Sequence, residues 1–311
     1  MRRFLSVLAV LACLGGCGGD DSGSGAGRGT LALDFQPNPV HAGIYAARNL
    51  RIRVPSASTD SLKLLAAGRA DMSVVDIHDL GLARERGFDI VGVSSIVGRP
   101  LAAVIARDRD AVHTPADLEG GTVGVTGLPS DDAVLDSVVE AGGANPDSVR
   151  RVTIGFDAVP TLAAGKLDAA TAFWNAEGVA LRGLGVPTRE FRVDDYGAPE
   201  YPELILATSA ETLRDRPDLV REMVDATNAG YDDVEGDPQA GLTALLDAVP
   251  DLDAADQRRQ LAALTDADAF RRGGDLDPAT LARWERWDRE HGILSKPLDV
   301  TTAFPPLDRS N

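Results

Sequence analysis

Cysteine is almost absent from this sequence, which has 311 residues and two cysteines, Cys13 and Cys17. The chain after position 17 therefore lacks the thiols that a disulfide, a thiolate metal site or a cysteine nucleophile requires. A domain without such cross-links depends on a large apolar core. The composition is 44% hydrophobic, so the roughly 280 residues that follow can form that core as one large domain or two medium lobes.

Positive charge is also scarce, because 31 Lys and Arg residues stand against 48 Asp and Glu residues and give a formal net charge of −17. No basic patch is present that could release counterions from a phosphate backbone, so we expect no nucleic-acid partner. A small anionic ligand stays open, because a local site can differ from the overall field of the protein. No catalytic or metal-binding motif stands out. The sequence predicts a binding protein, not an enzyme, with neither cofactor nor metal.

The apolar run at residues 4–14 is too short to span a bilayer of roughly 30 Å and follows two arginines, as in a signal peptide. It ends in Leu14-Gly15-Gly16-Cys17, which resembles the lipobox of bacterial lipoproteins. We predict a signal peptide at 1–16, lipidation of Cys17 and a flexible Gly- and Ser-rich tether at 17–29. The protein is then extracytoplasmic and held on the cell membrane by its lipid anchor. An ordinary secreted protein with a chance cysteine is the alternative.

Short apolar runs alternate with helical patterns along the rest of the chain. The strand-like runs lie at 31–35, 72–75, 90–93, 101–106, 122–126, 152–154, 169–173 and 204–208, and beyond Glu211 the pattern is helical only. This alternation predicts an α/β fold with largely parallel sheets and a helical C-terminal region.

A six-residue pattern occurs twice, at 66–71 before the run 72–75 and at 163–168 before the run 169–173. Both copies are typical of a helix that ends at a glycine and leads, through a basic residue and an aspartate, into a buried strand. A common helix–strand junction used twice is the alternative to a duplicated lobe. We predict lobe 1 at 30–106, lobe 2 at 107–202, and a return to lobe 1 with C-terminal helices at 203–311.

Polar and aromatic residues are densest at 34–45, where an apolar strand ends, two prolines form a turn and a helix begins. Ligands of α/β proteins bind beyond the carboxyl ends of strands, where this turn lies. We therefore predict that Asp34, Asn38, His41 and Tyr45 contact a ligand. His41 and Tyr45 share one helix face. A capped helix start with a locally satisfied His41 is the alternative.

A second cluster, Trp174 and Glu177, follows the predicted strand 169–173. An indole there could stack on a heteroaromatic ring, worth about 1–3 kcal/mol by analogy with base stacking. A carboxylate can accept hydrogen bonds from a ring amino group. Packing of Trp174 in the core, with Glu177 beside a helix N-terminus, is the alternative.

Two further helix starts are candidates of lower rank. Ser130 begins a helix whose backbone N–H groups could bind a ligand, although Asp131 and Asp132 beside it disfavour a strongly anionic group. Asp76 and His78 follow the run 72–75, and a capped helix start is the favoured interpretation for them.

The segment Asp34-Phe35-x-Pro37-Asn38-x-x-His41-x-Gly43-x-Tyr45 resembles the opening motif of the thiamin-pyrimidine-precursor family of solute-binding proteins. The likeness continues through 127–131, 155–156, 173–177, 195–197 and 213–231, and so covers nearly all of the mature chain. The chain departs from the family in having Phe35 where tryptophan is usual, and in lacking part of a helix and loop after Ala47.

The resemblance implies a two-lobed periplasmic-binding-protein fold of type II. It further implies a monomer that captures a small heteroaromatic ligand, a thiamin pyrimidine precursor, and delivers it to the permease and ATPase subunits of an ABC importer. Riboflavin and alkanesulfonate or taurine-like anions stay open as ligands. A thiamin pyrimidine synthase is the alternative of another class.

Overall fold

A computed structural model describes residues 29–55, 60–108, 112–155 and 157–307. The predicted signal peptide, Cys17 and nearly all of the predicted tether lie outside the described residues. Within them the strands are β1 (Gly29–Ala32), β2 (Leu50–Arg53), β3 (Met72–Asp76), β4 (Ile90–Val97), β5 (Ala102–Arg107), β6 (Thr122–Val125), β7 (Arg150–Thr153), β8 (Ala169–Phe173), β9 (Thr188–Arg192) and β10 (Leu204–Ser209).

The described helices follow the same chain order. They are α1 (Ala42–Ala46), α2 (Asp60–Ala66), α3 (Ile77–Glu85), α4 (Pro129–Ala141), α5 (Ala158–Ala163), α6 (Glu177–Gly183), α7 (Ala210–Asp215), α8 (Pro217–Gly236), α9 (Pro238–Ala248), α10 (Ala254–Asp266), α11 (Pro278–Glu290) and α12 (Val300–Ala303). None of the helices in the described ranges is long and apolar enough to cross a membrane.

The strands form two five-stranded sheets of the same topology, in the orders β2-β1-β3-β10-β4 and β7-β6-β8-β5-β9. In lobe 1, which is the first sheet with its helices, β1 is parallel to β2 and β3, whereas β10 is antiparallel to β3 and β4. Lobe 2 repeats this arrangement, because β6 is parallel to β7 and β8 and β5 is antiparallel to β8 and β9. The α/β class is confirmed, but the prediction of largely parallel sheets is wrong.

The chain crosses between the lobes twice, from β4 to β5 and from β9 to β10. The first strand after each crossing, β5 or β10, is antiparallel to both of its neighbours, which explains the mixed sheets. The predicted lobe boundary at 106/107 lies one strand too late, because β5 pairs with β8 and β9 in the second sheet. Periodicity identifies β5 as a strand, but it carries no information about which sheet that strand joins.

The six-residue repeat occupies equivalent positions in the two lobes. The carboxylate of Asp71 accepts a hydrogen bond from the backbone N–H of Thr30 at 2.8 Å, and that of Asp168 does the same with Thr122 at 2.8 Å. The glycine of each copy has a left-handed φ, 64° at position 68 and 69° at position 165, which favours glycine. Together with the identical strand orders, this shows that the repeated junction is part of a duplicated architecture.

Aromatic side chains of α11 lie in the core, as their helical spacing predicts. Trp284 and Trp287 are 0% and 4% exposed. The C-terminal helices also reach both lobes: α10 packs against α6 of lobe 2 and against the 3-10 helix Pro39–His41 of lobe 1. Helix α10 therefore contacts one element of each lobe.

Helices α1 and α8 approach closely at Gly230, where a Cβ atom would lie 2.0 Å from the backbone oxygen of Gly43. We expect Gly230→Ala to lower the free energy of unfolding by about 1–3 kcal/mol or more, because backbone has to move to admit the methyl group. Gly236 lies on the same helix, and a Cβ atom added to it would meet nothing within 4 Å. Gly236→Ala should therefore leave stability unchanged or raise it by up to about 1 kcal/mol. Urea unfolding of both variants tests the contact, and equal midpoints would refute it.

Candidate ligand-binding site

A cavity of about 400 Å³ lies between the two lobes. Lobe 1 contributes the turn after β1 and the start of α3, whereas lobe 2 contributes the start of α4 and the residues between β8 and α6. Leu101 and Glu203, which belong to the two crossings, line the cavity as well. These positions are the carboxyl ends of strands, where α/β proteins bind ligands, and the volume falls within the usual range of small-molecule sites.

Four of the seven predicted ligand-binding residues line this cavity, namely Asp34, Asn38, Ser130 and Glu177. Asn38 is also the predicted helix cap, because its Oδ1 accepts a hydrogen bond from the backbone N–H of Val40 at 2.9 Å. Glu177 Oε2 accepts from the backbone N–H of Phe173 at 3.0 Å. This bond orients the Glu177 carboxylate at the end of β8, where it lines the cavity.

Three of the seven predicted residues, His41, Tyr45 and Trp174, do not line the cavity. His41 is 0% exposed. Its Nδ1 accepts from the backbone N–H of Asn38 at 3.2 Å, so its Nε2 carries the proton and donates to Asp34 Oδ1 at 2.7 Å. The prediction of a ligand contact is therefore corrected: His41 completes a capping box and orients the Asp34 carboxylate.

Trp174 is fully buried, with its indole N–H donating to the backbone oxygen of Pro100 at 3.0 Å. The guanidinium of Arg192 lies 4.0 Å from the centre of the indole. The predicted stacking surface is thus buried inside the protein, and Phe173 and Asn175 on either side of it line the cavity instead. Tyr45 also lies outside the cavity wall and packs against buried apolar residues, and burial raises the pKa of its hydroxyl.

Aromatic surface is supplied by two phenylalanines that the sequence did not single out as ligand-binding. Phe35 and Phe173 line the cavity, and Phe35 is 39% exposed. Phe35 belongs to lobe 1 and Phe173 to lobe 2. A planar ring in the cavity can therefore contact an aromatic side chain from each lobe.

Acidic side chains dominate the polar part of the wall. Besides Asp34 and Glu177, the cavity is lined by Asp76, Asp79, Asp131 and Glu203. Among the described residues of this wall, none is lysine or arginine. Within the described ranges these acids also form no group that could hold a metal ion. The wall can therefore accept many hydrogen bonds and attracts positive charge.

Burial shifts the acids of the wall toward their protonated forms. It raises the pKa of Glu177 and of Asp131, the latter against hydrogen bonds from Thr126. Burial, reinforced by the charge of Asp76, raises the pKa of Glu203 to about 8. Glu203 Oε2 accepts from the backbone N–H of Leu101 at 2.7 Å, which ties the two crossings together beside the cavity.

His78 is the one histidine in the described wall, and it is 3% exposed. Burial lowers its pKa, but the Asp288 carboxylate, 2.8 Å from His78 Nδ1, outweighs burial, and the net pKa is about 10. Asp76 caps α3 by accepting from the backbone N–H of His78 at 2.7 Å. The predicted capped helix start is confirmed, and the same residues line the cavity. The signal that the sequence offered was an acid directly after a buried strand.

Comparison with solved structures defines the fold class. The alkanesulfonate-binding protein SsuA from Xanthomonas axonopodis pv. citri, bound to MOPS, matches with a TM-score of 0.70 at 16% identity and covers 89% of this chain and 98% of that one. The periplasmic aliphatic sulphonate binding protein SsuA from Escherichia coli matches with a TM-score of 0.71 at 14% identity over 91% of this chain and 94% of that one. The predicted type II periplasmic-binding-protein fold is confirmed.

Residues 38–241 match the family model described as NMT1/THI5 like, and the chain belongs to this family. The formylaminopyrimidine-binding protein of Halalkalibacterium halodurans is 28% identical over 257 residues, which cover 78% of each chain. The riboflavin-binding protein RibY of Chloroflexus aurantiacus is 26% identical over 296 residues, or 88% of this chain and 84% of the relative. The family predicted from the 34–45 motif is confirmed.

Proposed function

We propose that this chain is the solute-binding subunit of an ABC importer and that it captures a small heteroaromatic ring with amino groups, of the thiamin-pyrimidine-precursor type. The observation that carries the proposal is the cavity wall, with six acidic side chains and no lysine or arginine among its described residues. Ring amino groups are hydrogen-bond donors, and carboxylates are their strongest acceptors. The relative named as formylaminopyrimidine-binding supports this chemistry.

The position of the cavity supports capture by both lobes. Phe35 and Asp34 approach a ligand from lobe 1, whereas Phe173 and Glu177 approach it from lobe 2. A ligand that contacts both sides binds the closed arrangement more tightly than an open one, and this difference is what drives closure. A permease that binds only the closed form would then bind only the ligand-loaded protein.

The other ligands fit this wall less well. An alkanesulfonate or taurine sulfonate needs donors or cations, and the described wall offers mainly acceptors. A flavin ring presents several carbonyl oxygens, which pair with donors, whereas the ionised acids of the wall can only accept hydrogen bonds. The relative named as a riboflavin-binding protein nevertheless makes riboflavin the second candidate.

A thermal-shift panel tests the proposal with 4-amino-5-hydroxymethyl-2-methylpyrimidine, its formylamino analogue, thiamin, riboflavin, taurine and an alkanesulfonate. A ligand at about 100 times its dissociation constant adds about 2.7 kcal/mol to the folded state, which corresponds to an increase of a few degrees in Tm. We expect an aminopyrimidine to give the largest shift. Stabilisation by taurine or the sulfonate alone would contradict the proposal.

Anchoring at Cys17 is part of the same proposal, because a capture protein that stays on the membrane remains near its permease. Two acyl chains at this cysteine would hold the chain stably where one would not. We expect radiolabelled palmitate to mark the wild-type protein in cells and to leave Cys17→Ser unlabelled. Cys13→Ser is the matched control and should keep its label. If the Cys13→Ser variant loses its label while Cys17→Ser keeps it, the lipidated cysteine is Cys13 and the assignment of Cys17 is wrong.

A further inference from the structure

Asp79 differs from the other acids of the cavity in having no hydrogen-bonded partner for its carboxylate among the described residues. Asp34 is held by His41 at 2.7 Å, Asp76 caps α3, and Asp131 accepts from Thr126. The Asp79 side chain lines the cavity from the first turn of α3 and is only partly exposed. A partly buried carboxylate without a partner is costly, and a ligand that supplies the partner recovers that cost.

Two amide side chains of the same wall also have unpaired acceptors. Asn175 is 1% exposed and Gln260 is 7% exposed, and both line the cavity. Asn175 Oδ1 and Gln260 Oε1 are buried without a hydrogen-bond partner in the described part of the chain. Buried acceptors of this kind are normally satisfied. These two acceptors are left for N–H groups of a ligand, whereas the buried His78 Nε2, which also has no partner in the described part of the chain, is left as a donor for a ligand acceptor.

We propose that Asp79, with Asp34 and Asp76 beside it, binds a positively charged amino group of the ligand, while the Asn175 and Gln260 oxygens accept from its other N–H groups. This inference rests on the proposed function and narrows its ligand class from amino-substituted rings to cationic ones. The positive charge of His78 does not oppose the binding strongly, because Asp288 lies 2.8 Å from its Nδ1 and balances it.

The charges around Asp79 make binding depend on pH. Burial and, to a smaller extent, the charges of Asp76 and Asp34 raise its pKa, His78 and Arg86 lower it, and the net pKa is about 7. Below this pKa the carboxylate is neutral and cannot pair with a cation. A bound cation favours the ionised form, so its affinity increases as the pH rises from 6 to 8.

Other acids that face the cavity can add to this pH dependence. Glu203 comes from the crossing that leads to β10, Asp131 from α4 and Glu177 from α6. Their pKa values are also raised by burial. The test therefore measures the part of the pH dependence that disappears with Asp79.

Two probes that differ in one group provide the test: 4-amino-2-methylpyrimidine carrying either –CH₂–NH₃⁺ or –CH₂–OH at position 5. A primary amine stays protonated at pH 6 and 8. At pH 8 we expect the aminomethyl probe to bind the wild-type protein at least about tenfold more tightly, since charge-assisted hydrogen bonds are the stronger ones. This preference should shrink about fivefold or more at pH 6, and in Asp79→Asn at pH 8 it should fall to about the value that the wild-type protein shows at pH 6.

The controls keep the outcomes distinct. Asp79→Glu retains the charge and should retain a preference for the aminomethyl probe. Asp225→Asn changes an exposed acid of α8 and should leave both affinities unchanged. Equal affinity of the wild-type protein for the two probes would overturn the cation subsite and leave the proposed function standing. If neither probe binds, both proposals fail.

Discussion

Asp288→Asn is expected to lower the free energy of unfolding by about 3–5 kcal/mol at pH 7, because it breaks a buried ion pair and leaves His78 without its counter-charge. Both side chains are buried, at 3% exposure for His78 and 0% for Asp288, so solvent screens the pair weakly. The surroundings are apolar and aromatic: Tyr201 lies 5.0 Å and Trp287 5.9 Å from the His78 ring. Beyond these rings, the carboxyl groups of Asp76 and Glu203 also raise the pKa of His78, but less than Asp288, which forms the ion pair with it.

The pH dependence of this loss has a defined sign. The pKa of His78 is raised from 6.5 to about 10 in the folded state. The stability that results is fully present below pH 6.5 and is lost as the pH rises through about 10. The difference between wild type and Asp288→Asn should therefore be large at pH 7 and small at pH 10.

Urea unfolding at the two pH values measures this difference. Glu290→Gln is the matched control, because it removes an exposed acid from the same helix, α11. The control should change stability by less than about 0.5 kcal/mol. A loss in Asp288→Asn that stays constant from pH 7 to pH 10 would show that the pair is not ionised in the folded protein.

Glu177→Gln is expected to weaken binding of 4-amino-5-hydroxymethyl-2-methylpyrimidine by about 10–100-fold. A hydrogen bond to a charged acceptor contributes about 1.5–3 kcal/mol, and glutamine keeps the shape of the side chain but not its charge. The bond from the Phe173 backbone N–H, 3.0 Å long, can persist to the glutamine oxygen. The variant should therefore fold normally and lose affinity through the group that faces the cavity.

Glu211→Gln provides the matched control for this substitution. Glu211 also lies in the first turn of a helix, α7, but it is exposed and distant from the cavity wall. Equilibrium binding should show wild-type affinity for Glu211→Gln. Equal affinities of Glu177→Gln and wild type would remove Glu177 from the site and weaken the assignment of the cavity.

The sequence predicted strands well where burial is continuous. The apolar run at 169–173 became β8 with the same bounds, and 72–75 became most of β3. It missed β9, because Thr188–Arg192 is an edge strand of the second sheet and carries charged residues that interrupt the apolar pattern. Periodicity also could not show that β5 and β10 are exchanged between sheets, since strand order depends on contacts far apart in the sequence.

The site was predicted only in part, because some of its contacts also join residues that are far apart in the sequence. Asp34 and Glu177 were predicted to contact a ligand because they follow strands, and both line the cavity. The same reasoning failed for Trp174, because the side chain directly after β8 turns into the core, where Pro100 and Arg192 hold it. Glu203 was missed because its partner Leu101 lies 102 positions earlier in the chain, and only the two crossings bring them together.

Isothermal titration calorimetry of the purified domain from residue 29 onward, with 4-amino-5-hydroxymethyl-2-methylpyrimidine and with taurine, tests the central claim most directly. We predict one site per chain for the pyrimidine, with a Kd at or below about 1 μM, equivalent to about 8 kcal/mol of binding free energy. Taurine should give no measurable heat, because the described cavity wall contains carboxylates and no lysine or arginine. Binding of taurine at one site per chain, with none of the pyrimidine, would contradict the claim.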